Sequence, residues 1–104
     1  MSKFHKLTIK EIYKEANDCS VISFIIPEEL KEEFNFKQGQ YLTLNATING
    51  EEIRRSYSLC TNPNEGEWKV AVKRIEGGKF STFANESLKA GDEIDVMPPE
   101  GKFY

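Results

Sequence analysis

Leu42, Leu44, Ala46 and Ile48 alternate strictly with Thr43, Asn45 and Thr47, and Asn49-Gly50 follows at once. A period of two places one apolar row on one face of a strand. Both central positions of a type I′ turn need positive φ, which Asn-Gly tolerates better than any other pair of common residues. The chain is therefore expected to double back into a partner strand running from about Glu51 through Leu59. That hairpin commits the surrounding sequence to an antiparallel sheet.

The remaining segments fit the same scheme. Leu7 and Ile9 alternate with polar residues, and the first strand is expected to run on through Ile12 or Tyr13. Val21-Ile22-Ser23-Phe24-Ile25-Ile26 is short, rich in β-branched residues and stopped by Pro27. After the loop Asn62-Pro63-Asn64-Glu65-Gly66, a strand is expected from Trp68 to Ile75, broken by Gly77-Gly78. A last strand, Glu93 to Met97, precedes Pro98-Pro99. One helix interrupts the strands. Phe80, Phe83, Ala84 and Leu88 share a face at helical spacing, Ser81 is its expected N-cap, and Ala90-Gly91-Asp92 ends it. Glu28 to Phe34 reads as one further helical turn with a solvated acidic face. Six strands and a late helix predict an all-β fold, a six-stranded antiparallel Greek-key β-barrel with one capping α-helix. At 104 residues, without repeat or linker, this is one domain.

Charge and composition narrow the function. Fourteen Lys and Arg against 17 Asp and Glu leave a net charge of -3. That balance argues against nucleic acid as a partner, because phosphate binding without sequence preference needs a cationic footprint. It leaves room for a local anion site. No apolar run approaches the ~20 residues of a membrane span, so no membrane association is expected. Met1 to Lys6 carries no apolar signal core, and the expected setting is cytoplasmic. Two cysteines and one histidine are too few for a closed zinc or cysteine-ligated cluster site, so no metal is expected. Cys60 is expected to be a small core residue, and His5 a surface one.

The segment that carries chemistry is Arg54-Arg55-Ser56-Tyr57-Ser58-Leu59. Alternation puts Arg55 and Tyr57 on one face of a strand, with Ser56 and Ser58 on the other. A cation and an aromatic side by side suit a ligand with an anionic part and a flat ring. They equally suit an exposed Arg–Tyr pair on a serine-lined edge. Gly77-Gly78-Lys79-Phe80-Ser81 then leads into the helix. The free N–H groups of a helix start attract anions, and glycine lets the backbone approach them closely. Gly-Gly before a helix is also simply a flexible turn. The strand arginine and the glycine-rich helix start are more specific together, since both would serve one pyrophosphate.

These residues carry a resemblance. Arg55-Ser56-Tyr57-Ser58, Val70-Ala71-Val72-Lys73, Gly78-Lys79-Phe80-Ser81, Leu88 to Asp92 and Pro99 to Phe103 resemble, in order, the FAD-binding barrel of the ferredoxin–NADP reductase superfamily. Phe36-Lys37-Gln38-Gly39-Gln40-Tyr41 fits the same pattern. Within it, Phe4 to Thr8, Gly50 to Arg55 and Val70 to Ser81 are most similar to reductases of phenylacetate-type aromatic catabolism. The resemblance implies that FAD is the cofactor. It implies that Arg55 pairs with the pyrophosphate, flanked by Ser56, and that Gly78, Lys79, Phe80 and Ser81 close over it. Tyr57 would pack on the isoalloxazine, and Ser58 would place a hydroxyl near the reactive nitrogen. Those two are the implied catalytic residues. Val72 and Lys73 would offer backbone contacts, although core packing accounts for Val72 equally well.

The resemblance further implies a longer parent in which an NAD(P)-binding domain and a [2Fe–2S] domain follow. Electrons would pass from NAD(P)H through FAD to the iron–sulfur centre and on to an oxygenase partner. The chain stops at Gly101-Lys102-Phe103-Tyr104 without a polar tail, which reads as a cut. By itself this domain is expected to hold FAD less firmly and to be inactive in hydride transfer. A flavin or siderophore reductase, or an electron-transfer subunit of another system, keeps the flavin and differs in the missing domains. A non-redox, partner-binding β-barrel explains the strands but not the coincidence of Arg55, Tyr57 and the Gly77-Gly78 helix start.

Overall fold

The computed structural model describes residues 4–75 and 77–101. Two hairpins begin the sheet. β1 (His5–Ala16) pairs with β2 (Cys19–Ile25), and β3 (Tyr41–Ile48) pairs with β4 (Glu51–Ser58). At the second hairpin Asn49 has φ 53° and Gly50 φ 80°, the left-handed pair that Asn-Gly was expected to supply. β5 (Trp68–Lys73) adds to β2, and β6 (Glu93–Val96) returns between β1 and β3. The sheet is six-stranded and antiparallel, in the order β4-β3-β6-β1-β2-β5.

The expected barrel is not closed by hydrogen bonds. Its edge strands, β4 and β5, converge at their ends, where Leu59 and Val70 form an isolated bridge. There the Cys60 N–H donates to the Lys69 carbonyl at 2.9 Å. The helix α1 (Lys79–Glu86) packs on β5, β4 and β3 and sends Phe80 and Ala84 into the core. That core runs through Leu7, Ile9, Ile22, Leu42, Leu44 and Val70, all of them buried. Phe34, fully buried, follows a 3-10 turn over Glu28–Leu30, and its carbonyl accepts the Trp68 indole N–H at 2.7 Å.

Several boundaries differ from expectation for local reasons. β1 continues to Ala16, held by its ladder to β2, whereas its residues from Tyr13 onward are exposed and carry no apolar alternation. β5 stops at Lys73. The last strand stops at Val96, and the Met97 N–H turns to the Thr43 carbonyl. Ser81 is not the N-cap of α1; Gly78 is, and it makes no side-chain cap. Ser81 lies inside the first turn, where its hydroxyl accepts the Ile75 N–H at 2.9 Å and donates to the Gly78 carbonyl at 3.3 Å. The helix also ends earlier, at Glu86, although Leu88 still packs against the core. Cys60 is exposed rather than buried. His5 is half-buried rather than on the surface, its Nε2 3.0 Å from the Glu33 carboxylate and its ring edge-on to Phe34.

Candidate functional site

β4 is an edge strand, and among the described residues one side of it has no ladder partner beyond the bridge at the following Leu59. Along it Ile53, Arg55 and Tyr57 share the face turned toward α1. Ile53 is buried and Tyr57 half-buried, while Arg55 stays in solvent. The Tyr57 ring rests on Phe80 with centroids 5.8 Å apart and planes 36° from parallel. This contact fixes the start of α1 against β4. Between them lies an open groove of about 650 Å3, lined by Glu51, Arg54, Arg55, Gly77, Gly78 and Lys79 among others. Its volume falls within the ~300–1,000 Å3 of ordinary ligand sites.

The backbone at the helix start is bare. A Cβ built on Gly78 would lie 2.7 Å from the Ser81 Oγ and 3.0 Å from the Ile75 carbonyl oxygen. Glycine is thus demanded by close approach rather than by φ. The first N–H to enter the helix ladder is that of Thr82, which donates to the Gly78 carbonyl at 3.1 Å. The N–H groups of Lys79, Phe80 and Ser81 precede that ladder and have no intrahelical acceptor.

A buried polar knot holds this helix in place. The Asn85 amide donates to the Val72 carbonyl at 3.1 Å and to the Ser81 carbonyl at 2.8 Å, and its oxygen accepts from the Ser20 hydroxyl at 2.7 Å. Asn85 therefore ties α1 to β2 and β5 at once. Its role was not anticipated from sequence, although Ser81 and Asn85 fall one turn apart on the buried stripe of the helix.

Charge in the groove is not all positive. The Lys79 ammonium lies 2.6 Å from the Glu51 carboxylate. That hydrogen bond and charge, with Arg55 adding to them, hold the Glu51 carboxyl below its ordinary value. The Arg55 guanidinium donates to the carbonyl of its neighbour Arg54 at 2.6 Å. Burial pushes the Tyr57 phenol above its ordinary value, with Arg55 pulling weakly the other way. The Cys60 thiol, on an exposed residue, is also raised, chiefly because neighbouring atoms partly screen it from water, so it is no activated thiolate.

The expected residues divide accordingly. Arg55, Gly78 and Lys79 line one groove, whereas Tyr57 and Phe80 pack on each other and are not among its lining residues. Ser81 braces Gly78 from behind. Ser56 and Ser58 point to the opposite face of β4. There the Ser56 hydroxyl meets that of Thr43 at 2.9 Å, and Ser58 stands opposite Tyr41. Val72 is fully buried and Lys73 exposed, and neither lines the groove. Glu51 went unnoticed in the sequence, although its parity with Arg55 and Tyr57 already places it on their face.

A helix start opposite a strand arginine, on an open antiparallel sheet, suits an anionic ligand. The chain belongs to the oxidoreductase FAD-binding domain family, of ferredoxin–NADP reductase type, whose family model matches residues 6–104. It is 46% identical over 103 residues to one of the subunits of 1,2-phenylacetyl-CoA epoxidase from Escherichia coli (strain K12), covering 99% of this chain and 29% of that protein. The fold superposes on phthalate dioxygenase reductase, described as modular for electron transfer from pyridine nucleotides to [2Fe–2S], with a TM-score of 0.80 and 28% identity. That match covers 97% of this chain and 31% of the other. A ferredoxin NADP+ reductase from Neisseria gonorrhoeae with bound FAD and NADP gives a TM-score of 0.81 at 20% identity, over 98% of this chain and 40% of that one. The chain thus spans less than half the length of each.

The residues fit FAD. The groove lining carries Arg54, Arg55 and Lys79 beside helix-start N–H groups that have no intrahelical acceptor.

Proposed function

We propose that this chain is the flavin module of an NAD(P)H-dependent oxidoreductase. Its electrons pass through FAD to an iron–sulfur centre and then to an oxygenase, in phenylacetate-type aromatic catabolism. The observation that carries the flavin part is the groove joining Arg55 on β4 to Gly78 and Lys79 at the start of α1. Similarity to the phenylacetyl-CoA epoxidase protein supports the pathway.

FAD, when bound, supplies a ring that takes up a hydride and releases electrons singly. The protein's part is binding and orientation. Arg55 turns its guanidinium from the Arg54 carbonyl to the pyrophosphate, where its planar fork can make two parallel bonds. Gly78 lets the N–H groups of Lys79, Phe80 and Ser81 approach the same group, and Lys79 adds charge. Tyr57, backed by Phe80, presents an apolar face to the flavin ring. Ser58 points to the opposite face of the strand from Tyr57, so its hydroxyl would reach the ring edge only around the open edge of β4, and Ser56 steadies the strand through Thr43. Val72 and Lys73 lie outside the groove on the other edge strand, and any backbone contact from them excludes the Val72 carbonyl, which Asn85 holds.

The test is a fluorescence titration of the chain with FAD. Saturable binding is expected, weakened about ten-fold or more in Arg55→Ala, since a lost charge-assisted pair is worth about 1.5–3 kcal/mol. Equal binding by Arg55→Ala would refute this use of the groove.

A further inference from the structure

We propose that Glu51 is a built-in competitor for the groove: its carboxylate pairs with Lys79 and must let go before a pyrophosphate-bearing ligand can engage that cation. The proposal rests on the reading of the groove as the pyrophosphate site and adds a residue that works against binding.

The position of Glu51 is fixed by the fold. It is the first residue of β4, directly after the tight Asn49-Gly50 turn, and it shares a strand face with Arg55. Its carboxylate lies 2.6 Å from the Lys79 ammonium, and the charge of Arg55 acts on it as well. Like any exposed carboxylate it is ionised at neutral pH, and those cations hold its pKa lower still.

Lys79 has no local reason for its place. It is the first residue of α1, and a cation there sits at the positive end of the helix dipole. The first turn of α1 contains no acidic residue to offset it. Glu51, from another element, supplies the missing counter-charge. Among the described residues the groove lining sets Arg54, Arg55 and Lys79 against Glu51 and Glu52, a small positive surplus to which the helix start adds, and displacing Glu51 enlarges that surplus for a pyrophosphate. Both partners of the ion pair are more than half exposed, at 61% and 58%, so the pair opens into water without disturbing the core. A ligand with one weak negative charge gains little by displacing Glu51, whereas a pyrophosphate gains the whole cluster.

The test compares the chain with Glu51→Gln, an exposed and nearly isosteric change, using FAD and riboflavin as probes. Glu51→Gln is expected to tighten FAD by about two- to five-fold, the range of one exposed charge interaction. Riboflavin, which lacks phosphate, gains nothing. Equal FAD affinity in the two proteins, or weaker binding in Glu51→Gln, overturns the role of Glu51 and leaves the flavin reading standing. An equal gain for riboflavin also overturns it, because the effect would then not act on phosphate. No FAD binding by either protein removes the groove reading and this proposal with it.

Discussion

The rings of Tyr57 on β4 and Phe80 on α1 lie 5.8 Å apart, joining the strand that carries Arg55 to the helix start that carries Gly78 and Lys79. Phe80 is buried and Tyr57 half-buried, so the pair extends the core between β4 and α1. Tyr57→Ala is expected to cost about 2 kcal/mol of stability, below the ~3–5 of a fully buried aromatic. Tyr57→Phe keeps the ring contact and should stay within about 0.5 kcal/mol. Urea unfolding of both variants checks the difference.

Gly78 tests close approach separately from backbone conformation. Its φ is -80°, which any residue adopts, yet a Cβ there meets the Ser81 hydroxyl and the Ile75 carbonyl. Gly78→Ala should therefore destabilise by about 1–3 kcal/mol through overpacking. Gly77, at φ 79° with open space around it, is strained by substitution for the opposite reason. Paired Gly78→Ala and Gly78→Ala/Ser81→Ala unfolding curves should show part of the loss recovered in the double variant.

Asn85→Leu removes three hydrogen bonds and leaves the Val72 carbonyl and the Ser20 hydroxyl buried without that partner. A loss of about 2–4 kcal/mol is expected, since an orphaned buried polar group costs about 1–3 kcal/mol. Ser20→Ala should cost about 1 kcal/mol. Amide exchange in the Asn85 variant should quicken first at the start of α1, because Asn85 also binds the Ser81 carbonyl.

The raised Tyr57 phenol makes stability sensitive to alkali. A group whose folded value exceeds its unfolded value contributes stability that is complete below the unfolded value and is lost as pH rises through the folded one. The wild type should therefore lose stability above the ordinary tyrosine range, and Tyr57→Phe should lose less over the same window. Unfolding free energies measured across that range give the comparison.

The second hairpin was legible because Leu42 to Ile48 has one buried face and Asn49-Gly50 admits one kind of turn. The last residues of β1 were not, because strand pairing rather than burial holds them. Ser81 misled for a physical reason. A hydroxyl near a helix start is normally a cap, but this one is engaged by the Ile75 N–H across the turn. The joining of Arg55 to Gly78 and Lys79 could be anticipated from two local patterns. Glu51 and Asn85 could not, since what marks them are partners 28 residues away for Glu51 and 65 for Asn85.

The most direct test maps the site itself. Amide and guanidinium NMR signals of the 15N-labelled chain are followed as FAD is added. Arg55 Nε and the amides of Gly78, Lys79, Phe80 and Ser81 should shift together with one saturation curve, while His5 and the Glu28–Leu30 turn, apart from the groove, stay still. Shifts confined to other parts of the sheet, with Arg55 and the start of α1 unmoved, would contradict the account.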